Sequence, residues 1–232
     1  MYKDDAVISC NQKVFRKISL CKKVLLWFEF SLIYLGFPLF YAYKRTSSPI
    51  IYLLTLGLFS FILLYRSRAF RNKIFLNGSM LVVELPRILL IFTASTLSLL
   101  LITYVFFPDS LFFCIKKHFL IWCSLMFFYP LLSVYPQELI YRAFLFHRYR
   151  QLFSSEVSVI HLSAVAFSFG HIIYFHPLSM ILTFFGGYIF AWTYKKTESL
   201  LAVSVEHAMY GCLLYTIGLG RFFYSGFDQL IR

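Results

Sequence analysis

Residues 119–147 read FLIWCSLMFFYPLLSVYPQELIYRAFLFH, an apolar run with only scattered polar residues. About 20 helical residues cross the hydrocarbon core of a bilayer, so this run is longer than one simple crossing requires. It also contains Pro130 and Pro136, which interrupt regular helical hydrogen bonding. We therefore expect a broken or tilted membrane helix here, or a span preceded by an interfacial segment.

Other apolar runs of spanning length lie on both sides of this one. We place the spans near residues 24–43, 49–65, 86–107, 119–147, 157–175, 177–194 and 199–219. The predicted fold is all-α, a polytopic integral membrane bundle of about seven (roughly six to eight) transmembrane helices. We divide the chain into a basic N-terminal segment (1–23), N-terminal transmembrane helices (24–110) and a core that carries the functional residues (111–232).

The composition excludes a water-soluble or disordered protein. Hydrophobic residues make up 60% of the 232 residues and charged residues 14%, and the mean hydropathy is +0.74. A soluble domain of this size has no interior large enough for so many apolar side chains, and a disordered chain has far fewer of them. The five cysteines are scattered without a CxxC pair, so we predict neither a disulfide framework nor a zinc ribbon.

The basic residues predict an orientation in the membrane rather than a nucleic-acid partner. The net charge is +12, and most lysines and arginines lie in the short gaps between apolar runs. With the N-terminus in the cytoplasm, sixteen of the 22 Lys and Arg residues fall on the cytoplasmic side and six on the other. Because short cytoplasmic loops are enriched in bases, we predict a cytoplasmic N-terminus and no nucleic-acid binding.

Ionisable residues inside the spans indicate where a function lies, because each costs at least ~2–3 kcal/mol at mid-bilayer unless it is paired or hydrated. In the first three spans, Glu29 lies near a membrane end and Glu84 precedes Pro86, so these spans indicate little. The second half of the chain contains Gln137, Glu138, Arg142, His171, Glu206 and His207. We therefore predict that the functional site lies within residues 130–215.

These residues form three clusters on three separate spans. Glu138 and Arg142 are four residues apart, so one helix face presents both and they can form an ion pair. His171 ends a run rich in Ser, Ala and Gly, and His207 lies about 16 Å along a helix from Lys196, near mid-bilayer. Each feature alone has a structural explanation, namely a buried ion pair or a hydrogen-bonded core histidine. Three ionisable features at comparable depth, each costly in a bilayer, together indicate a functional site.

One carboxylate and two imidazoles around a water pocket support two kinds of chemistry. A carboxylate with a histidine can polarise water to attack a peptide carbonyl, while the second histidine stabilises the oxyanion. Alternatively, two histidines and one glutamate can hold a catalytic zinc. No HExxH sequence supports a zincin-type site, and no GxSxG sequence or Cys–His pairing supports a serine or cysteine nucleophile.

In this order on late hydrophobic spans, the clusters resemble the CPBP family of intramembrane proteases, which includes the CAAX prenyl endopeptidases and the Abi-type bacteriocin-immunity proteins. The family pattern is Glu-Glu-x-x-x-Arg, then Phe-x-x-x-His, then His-x-x-x-Asn. This chain has Gln137-Glu138-Leu139-Ile140-Tyr141-Arg142, Phe167 to His171, and His207 to Gly211. The resemblance covers roughly residues 115–220. It implies an all-helical membrane fold and a glutamate-dependent endopeptidase that cuts near the C-terminus of a membrane-associated protein.

Two positions depart from the family pattern. The family's first glutamate, which with the first histidine is thought to activate water, falls on Gln137, and its asparagine falls on Gly211. A glutamine accepts no proton at physiological pH, so the usual base is missing. Either Glu138 takes that role, or Glu206 supplies a carboxylate, or the protein is not a protease. We predict a variant enzyme that is active.

The resemblance therefore implies a hydrolase with three catalytic residues. Glu138 would be the general base, His171 would share the water, and His207 would stabilise the oxyanion. The supporting residues are Gln137, Arg142, Glu206, Gly211 and Phe167. We expect no cofactor, and a divalent metal such as zinc, held by the three catalytic residues, stays open as an alternative.

The expected partners are the lipid bilayer and a membrane-associated or lipidated protein substrate, and the expected location is the bacterial cytoplasmic (inner) membrane. The alternative function is that of a catalytically inactive membrane protein that binds a hydrophobic or lipidated peptide as an immunity or scaffolding factor. A transporter or proton relay is a third hypothesis, although no discontinuous helix pair or inverted repeat is visible in the sequence.

Overall fold

The computed structural model describes residues 19–44, 49–67, 75 and 77–223, which are almost entirely helical and include no β-strand. The all-α prediction is therefore confirmed. Within these ranges eight helices follow one another: α1 (Leu20–Lys44), α2 (Pro49–Arg66), α3 (Gly78–Phe106), α4 (Phe113–Lys117), α5 (Phe119–Leu152), α6 (Glu156–Gly170), α7 (Pro177–Thr197) and α8 (Leu200–Ile217). Most of the basic segment predicted over residues 1–23 lies outside the described residues.

Six of these helices are long and apolar enough to cross a membrane, which makes the chain a polytopic integral membrane protein. They are α1, α2, α3, α5, α6 with the 3₁₀ turn that follows it, and α8. The predicted span near 177–194 is helix α7, which has 21 residues but carries Lys195 and Lys196 in its last turn. Helix α7 is not among the six, so their number lies at the lower end of the predicted range.

Helix α3 begins earlier than the sequence predicted. The expected span started at residue 86, whereas the helix starts at Gly78 and continues for 29 residues with Pro86 inside it. Glu84 therefore lies on the same helix as Arg87, one turn before it, instead of in a loop. This difference brings two charged side chains into the bundle.

The long helix α5 continues through both of its prolines. Its first proline opens a π-helical turn over Pro130–Val134, and a second π-helical turn over Leu139–Phe144 follows Pro136. Proline lacks the N–H group of a regular helix and its ring crowds the preceding turn, and a widened turn relieves both problems. The expected break is thus a local widening. A short helix, α4, precedes α5.

The second widened turn is bonded by side chains of two other helices. The Tyr34 hydroxyl of α1 donates to the Ile140 carbonyl at 2.8 Å, and the Ser163 hydroxyl of α6 donates to the Tyr141 carbonyl at 2.7 Å. Such bonds compensate for distorted backbone hydrogen bonds, which are costly in an apolar interior. They fix the part of α5 that carries Glu138 and Arg142.

Most of the protein core lies in the second half of the chain, and α1 and α2 add a few buried side chains to it. In their most apolar windows, α6 and α8 are 44% buried, against 17% for α2 and 11% for α3. Large apolar side chains such as Leu54, Leu58 and Leu90 are exposed on α2 and α3, as expected for surfaces that face lipid. Helices α6 and α7 approach closely, because a Cβ atom on Gly187 would lie 3.0 Å from the Ala164 backbone. The first helices therefore surround a tightly packed group that holds the polar residues.

The two ends of α5 provide a test of the predicted orientation. Lys117 precedes α5 and Ser154 follows it, and both are exposed. We expect a Lys117→Cys variant to react in intact cells with a membrane-impermeant maleimide, and a Ser154→Cys variant to react only after permeabilisation. Both variants need a background in which the five native cysteines are replaced by alanine.

The opposite labelling pattern would reverse the orientation. Equal labelling of both variants in intact cells would contradict a membrane-spanning α5.

Candidate active site

Glu138 and Arg142 form the ion pair that their spacing predicts. Their side chains are completely buried, with the Arg142 Nε atom 3.1 Å from Glu138 Oε2. The contact is electrostatic, because these two atoms do not form an aligned hydrogen bond. The Arg142 guanidinium also lies over the ring of Phe167, at 4.4 Å from its centroid. The buried cation is thus held by a carboxylate on one side and an aromatic face on the other.

The other oxygen of Glu138 binds His207 of α8. Glu138 Oε1 lies 2.8 Å from His207 Nδ1, and a carboxylate can only accept, so the imidazole donates from Nδ1. In the neutral ring this leaves Nε2 with a lone pair. The Tyr129 hydroxyl of α5 lies 3.3 Å from that nitrogen and donates to it. The first and third sequence clusters therefore meet through one carboxylate.

His171 is held in the same tautomer by its own helix end. Its Nδ1 atom lies 2.7 Å from the Phe167 carbonyl, which can only accept a hydrogen bond. Phe167 and His171 are four residues apart in the sequence, and this bond joins them. It connects the last turn of α6 to the 3₁₀ turn that follows. The Nε2 atom of His171 is therefore also an acceptor.

Both histidines line one cavity of about 390 Å³ within the bundle. Aromatic and aliphatic side chains form most of its wall, and Gln137 also lines it, whereas Glu138 does not. Seen from the cavity, Glu138 lies behind His207. It contacts the imidazole and not the cavity itself. The structure thus brings His171 and His207 to a common space and keeps the carboxylate one residue away from it.

The cavity extends from the level of His207 towards the helix ends that carry Tyr174 and Phe223. These ends lie opposite the basic ends of α5 and α7, where Arg148, Lys195 and Lys196 are found. With the predicted orientation, the cavity therefore lies in the half of the bundle away from the cytoplasm. This position could not be read from the sequence, because it depends on the packing of five helices.

Gln137 occupies the position of the family's first glutamate and faces the cavity. Its side-chain amide donates to the Ser133 hydroxyl at 2.7 Å, one turn earlier on α5. The amide nitrogen has a second hydrogen to donate, and the amide has no basic group. At this position the chain therefore has an amide, which can donate a hydrogen bond but cannot take a proton.

Gly211 stands at the position of the family's asparagine, and the space beside it is occupied by another side chain. A Cβ atom on Gly211 would collide with the ring and the hydroxyl of Tyr129. The Tyr129 side chain thus lies where a larger residue at position 211 would begin, and its hydroxyl reaches His207. Sequence reasoning did not identify Tyr129, since nothing in its local sequence distinguishes it from the other aromatic residues of α5.

Aromatic rings enclose His207 on two further sides. Phe190 of α7 stacks on the imidazole with a centroid distance of 4.6 Å, and Phe167 meets its edge at 5.4 Å. Phe167 therefore touches Arg142, His171 and His207, which gives the middle sequence cluster a packing role. These rings restrict the imidazole to the orientation that Glu138 requires.

Glu206 does not join its neighbour His207 in the cavity. Its carboxylate is fully buried on another side of α8, 3.9 Å from Arg87 of α3. Arg87 and Glu84 were not predicted as site residues, although their spacing of three on a helix would have indicated an ion pair.

The described residues contain no cluster of three or more His, Cys, Asp or Glu side chains arranged to hold a metal ion. Glu138 uses one oxygen on His207 and the other on Arg142, and His207 uses Nδ1 on Glu138. The alternative of a zinc ion on Glu138, His171 and His207 gains no support from this geometry.

The contact between Gly211 and Tyr129 predicts a coupled effect on stability. We expect Gly211→Ala to destabilise the protein by about 1–3 kcal/mol, the usual cost of overpacking. In a Tyr129→Ala background the same substitution should cost much less, because the colliding ring is gone. Thermal unfolding of the detergent-purified variants measures both effects.

Gly36→Ala is the matched control, since a Cβ atom there meets only ordinary van der Waals contacts of 3.5 and 3.6 Å. Equal costs of Gly211→Ala in the two backgrounds would contradict the contact.

A scan against known families gives one match that covers the whole site. Residues 119–213 match the model of the Rce1-like family, described as type II CAAX prenyl endopeptidase Rce1-like. No curated protein and no solved structure matches the chain. The matched segment contains all three motifs that resemble the CPBP pattern. The segment 119–213 is therefore similar to the Rce1-like family of type II CAAX prenyl endopeptidases, in agreement with the resemblance found in the sequence.

Proposed function

We propose that the protein is an intramembrane endopeptidase that hydrolyses a peptide bond near the C-terminus of a membrane-associated protein. The observation that carries this proposal is the 2.8 Å hydrogen bond between Glu138 and His207, whose imidazole lines a cavity shared with His171 and has Nε2 as its acceptor atom. A carboxylate behind an imidazole is the arrangement that makes histidine an efficient base, because it stabilises the imidazolium that forms.

The geometry supports a division of roles that differs from the one implied by the resemblance. Glu138 is fully buried behind His207 and paired with Arg142, so it is poorly placed to take a proton from water itself. His207 Nε2 is the basic atom next to the cavity. We therefore assign the base role to the Glu138–His207 pair, with the proton carried by His207.

His171 positions the attacking water in this proposal. Its Nε2 atom is an acceptor, and so is that of His207, so one water molecule can donate a hydrogen bond to each. The oxygen lone pairs of that water then point away from both rings and towards a substrate carbonyl. This use of two acceptors requires the neutral tautomers that the Phe167 carbonyl and Glu138 impose.

Tyr129 and Gln137 supply the hydrogen bonds that the developing oxyanion needs. The Tyr129 hydroxyl is released from His207 when that nitrogen binds water, and the Gln137 amide has a second hydrogen to donate. Gln137 thus keeps a function in the proposed site although it cannot act as a base.

The reaction balances with these groups alone. The water oxygen forms a bond to the carbonyl carbon while its proton moves to His207 Nε2, which gives a tetrahedral oxyanion. The C–N bond then breaks as His207 returns the proton to the leaving nitrogen. The products are a carboxylic acid and an amine, and the site returns to its initial charge.

The lipid bilayer and a membrane-associated or lipidated protein are the proposed partners. The cavity wall is mostly apolar and aromatic, which suits a hydrophobic polypeptide segment or a lipid group next to the cleaved bond. A cytoplasmic N-terminus in a bacterial inner membrane is part of the same proposal. With that orientation, the cavity lies away from the cytoplasm.

A catalytically inactive peptide-binding protein is the second candidate. It is favoured by one observation, the presence of Gln137 at the cavity wall where the family has a glutamate. Such a protein would use the same apolar cavity and would leave the termini of its partner unchanged.

Profiling of protein C-termini distinguishes the two candidates. Membranes from host cells that express the wild-type chain should contain new C-terminal peptides of membrane proteins. These peptides should fall at least ~100-fold in His207→Ala and Glu138→Gln membranes, because general-base catalysis contributes about 10²–10⁴-fold. Quantitative mass spectrometry of the terminal peptides is the measurement.

The control variant is Glu29→Gln, which removes an ion pair with Arg148 outside the site. It should leave the new termini unchanged when expressed at the same level. New termini that persist in His207→Ala, or an absence of any difference from empty membranes, would overturn the protease proposal in favour of the binding protein.

A further inference from the structure

A short turn after helix α8 lies beside the cavity and has no part in the proposed reaction. It is the 3₁₀ turn Leu219–Phe223, which follows the segment 119–213 that matches the family model. Gly220 and Phe223 line the cavity, whereas Arg221 is exposed. The turn therefore has one side on the cavity and the other on the outside of the protein.

Phe223 places its ring next to His171. The two ring centroids are 6.0 Å apart in an edge-to-face arrangement, and Phe223 lies at the same distance from the ring of Tyr174. Both partners line the same cavity. A molecule that approaches His171 from this end of the bundle therefore meets the Phe223 ring before it reaches the imidazole.

The turn begins at two tightly packed glycines. Gly218 ends α8 with a φ of +98°, a left-handed conformation that other residues rarely adopt, and a Cβ atom there would collide with the Ser110 carbonyl. A Cβ atom on Gly220 would collide with the Tyr215 ring. Leu219, between the glycines, is completely buried. The start of the turn is therefore fixed by packing.

The rest of the turn, Arg221–Phe223, is attached to other elements by side chains. Arg221 Nη1 donates to the Ser110 hydroxyl at 3.0 Å, and the ring of Phe222 stacks on His176 with a centroid distance of 4.2 Å. Within the described ranges, no backbone hydrogen bond joins the turn to another element. One hydrogen bond and a few aromatic contacts therefore hold this part of the turn in place.

We propose that Arg221–Phe223 is a lid over the cavity, and that the Arg221 hydrogen bond and the Phe222 stack keep it closed. When these contacts break, the Phe223 ring leaves His171 and the cavity is joined to the water at this end of the bundle. Segments with exposed backbone and few buried contacts are the ones that open locally at low free energy.

This inference rests on the proposed function for its catalytic meaning. An open lid would admit water and release the charged end of the product, and a closed lid would keep bulk water away from the two histidines. The opening itself requires no substrate, so it can be measured on the protein alone.

Loss of the Arg221 hydrogen bond should expose His171 more often. Diethyl pyrocarbonate acylates unprotonated imidazole, and mass spectrometry gives the labelling rate of His171 in the full-length protein in lipid nanodiscs. We expect Arg221→Ala and Ser110→Ala each to raise this rate by about three- to tenfold, the effect of one net hydrogen bond on a local opening. The double variant should equal the single variants, because all three lose the same bond.

The aromatic side chains of the lid provide a second measurement. Phe223→Ala removes the ring beside His171 and should raise the labelling rate more than Arg221→Ala does, because the imidazole is then uncovered without any opening. Two control variants change exposed side chains at the same end of the bundle. They are Phe106→Ala on α3 and Lys117→Ala on α4, and both should leave the rate unchanged.

His147 shows whether the opening is local. It lies at the opposite end of the bundle, where its imidazole is 2.8 Å from the Ser67 hydroxyl, and a local opening of the lid leaves its labelling rate unchanged. Equal increases for His147 and His171 would overturn the lid, and so would an unchanged rate of His171 in Arg221→Ala, Ser110→Ala and Phe223→Ala. A double variant that adds the two single effects would also contradict it.

The outcomes separate this inference from the proposed function. Faster labelling of His171 in the lid variants, without any new C-terminal peptides in wild-type membranes, would retain the lid and reject the protease. New C-termini together with an unchanged labelling rate would retain the protease and reject the lid.

Discussion

The burial of the Arg142 cation is the constraint on which the rest of the site depends. A guanidinium in the middle of an apolar bundle cannot lose its proton and cannot reach water, so carboxylates must come to it. Glu138, on the same helix, is the carboxylate that contacts it. Glu138 in turn accepts a hydrogen bond from His207, so the same carboxylate joins α5 to α8 beside the cavity.

The two carboxylate oxygens of Glu138 have different partners. One oxygen faces Arg142 and the other accepts from His207 Nδ1, which fixes the tautomer of the imidazole and directs its lone pair to the cavity. A widened turn in α5, bonded by Tyr34 and Ser163, keeps the carboxylate in place. Ion pairing with Arg142 and orientation of the His207 imidazole are thus properties of a single side chain.

The two departures from the family pattern are accompanied by changes in their surroundings. Gln137 lines the cavity and is bonded to Ser133, while Gly211 leaves room for Tyr129, whose hydroxyl reaches His207. Both changes exchange one hydrogen-bonding group for another near the same two histidines. This pattern is more easily reconciled with an altered site than with the loss of one.

The sequence by itself determined the membrane fold and the pairing of Glu138 with Arg142, because apolar run length and helical spacing are local properties. It also indicated His171 and His207, since polar groups in apolar spans are conspicuous. Only the tertiary structure decided that Glu138 lies behind His207, that Tyr129 fills the space at Gly211, and that Arg87 approaches Glu206. These contacts join helices distant in sequence, and their geometry depends on helix packing and on the widened turns of α5, which no spacing rule encodes.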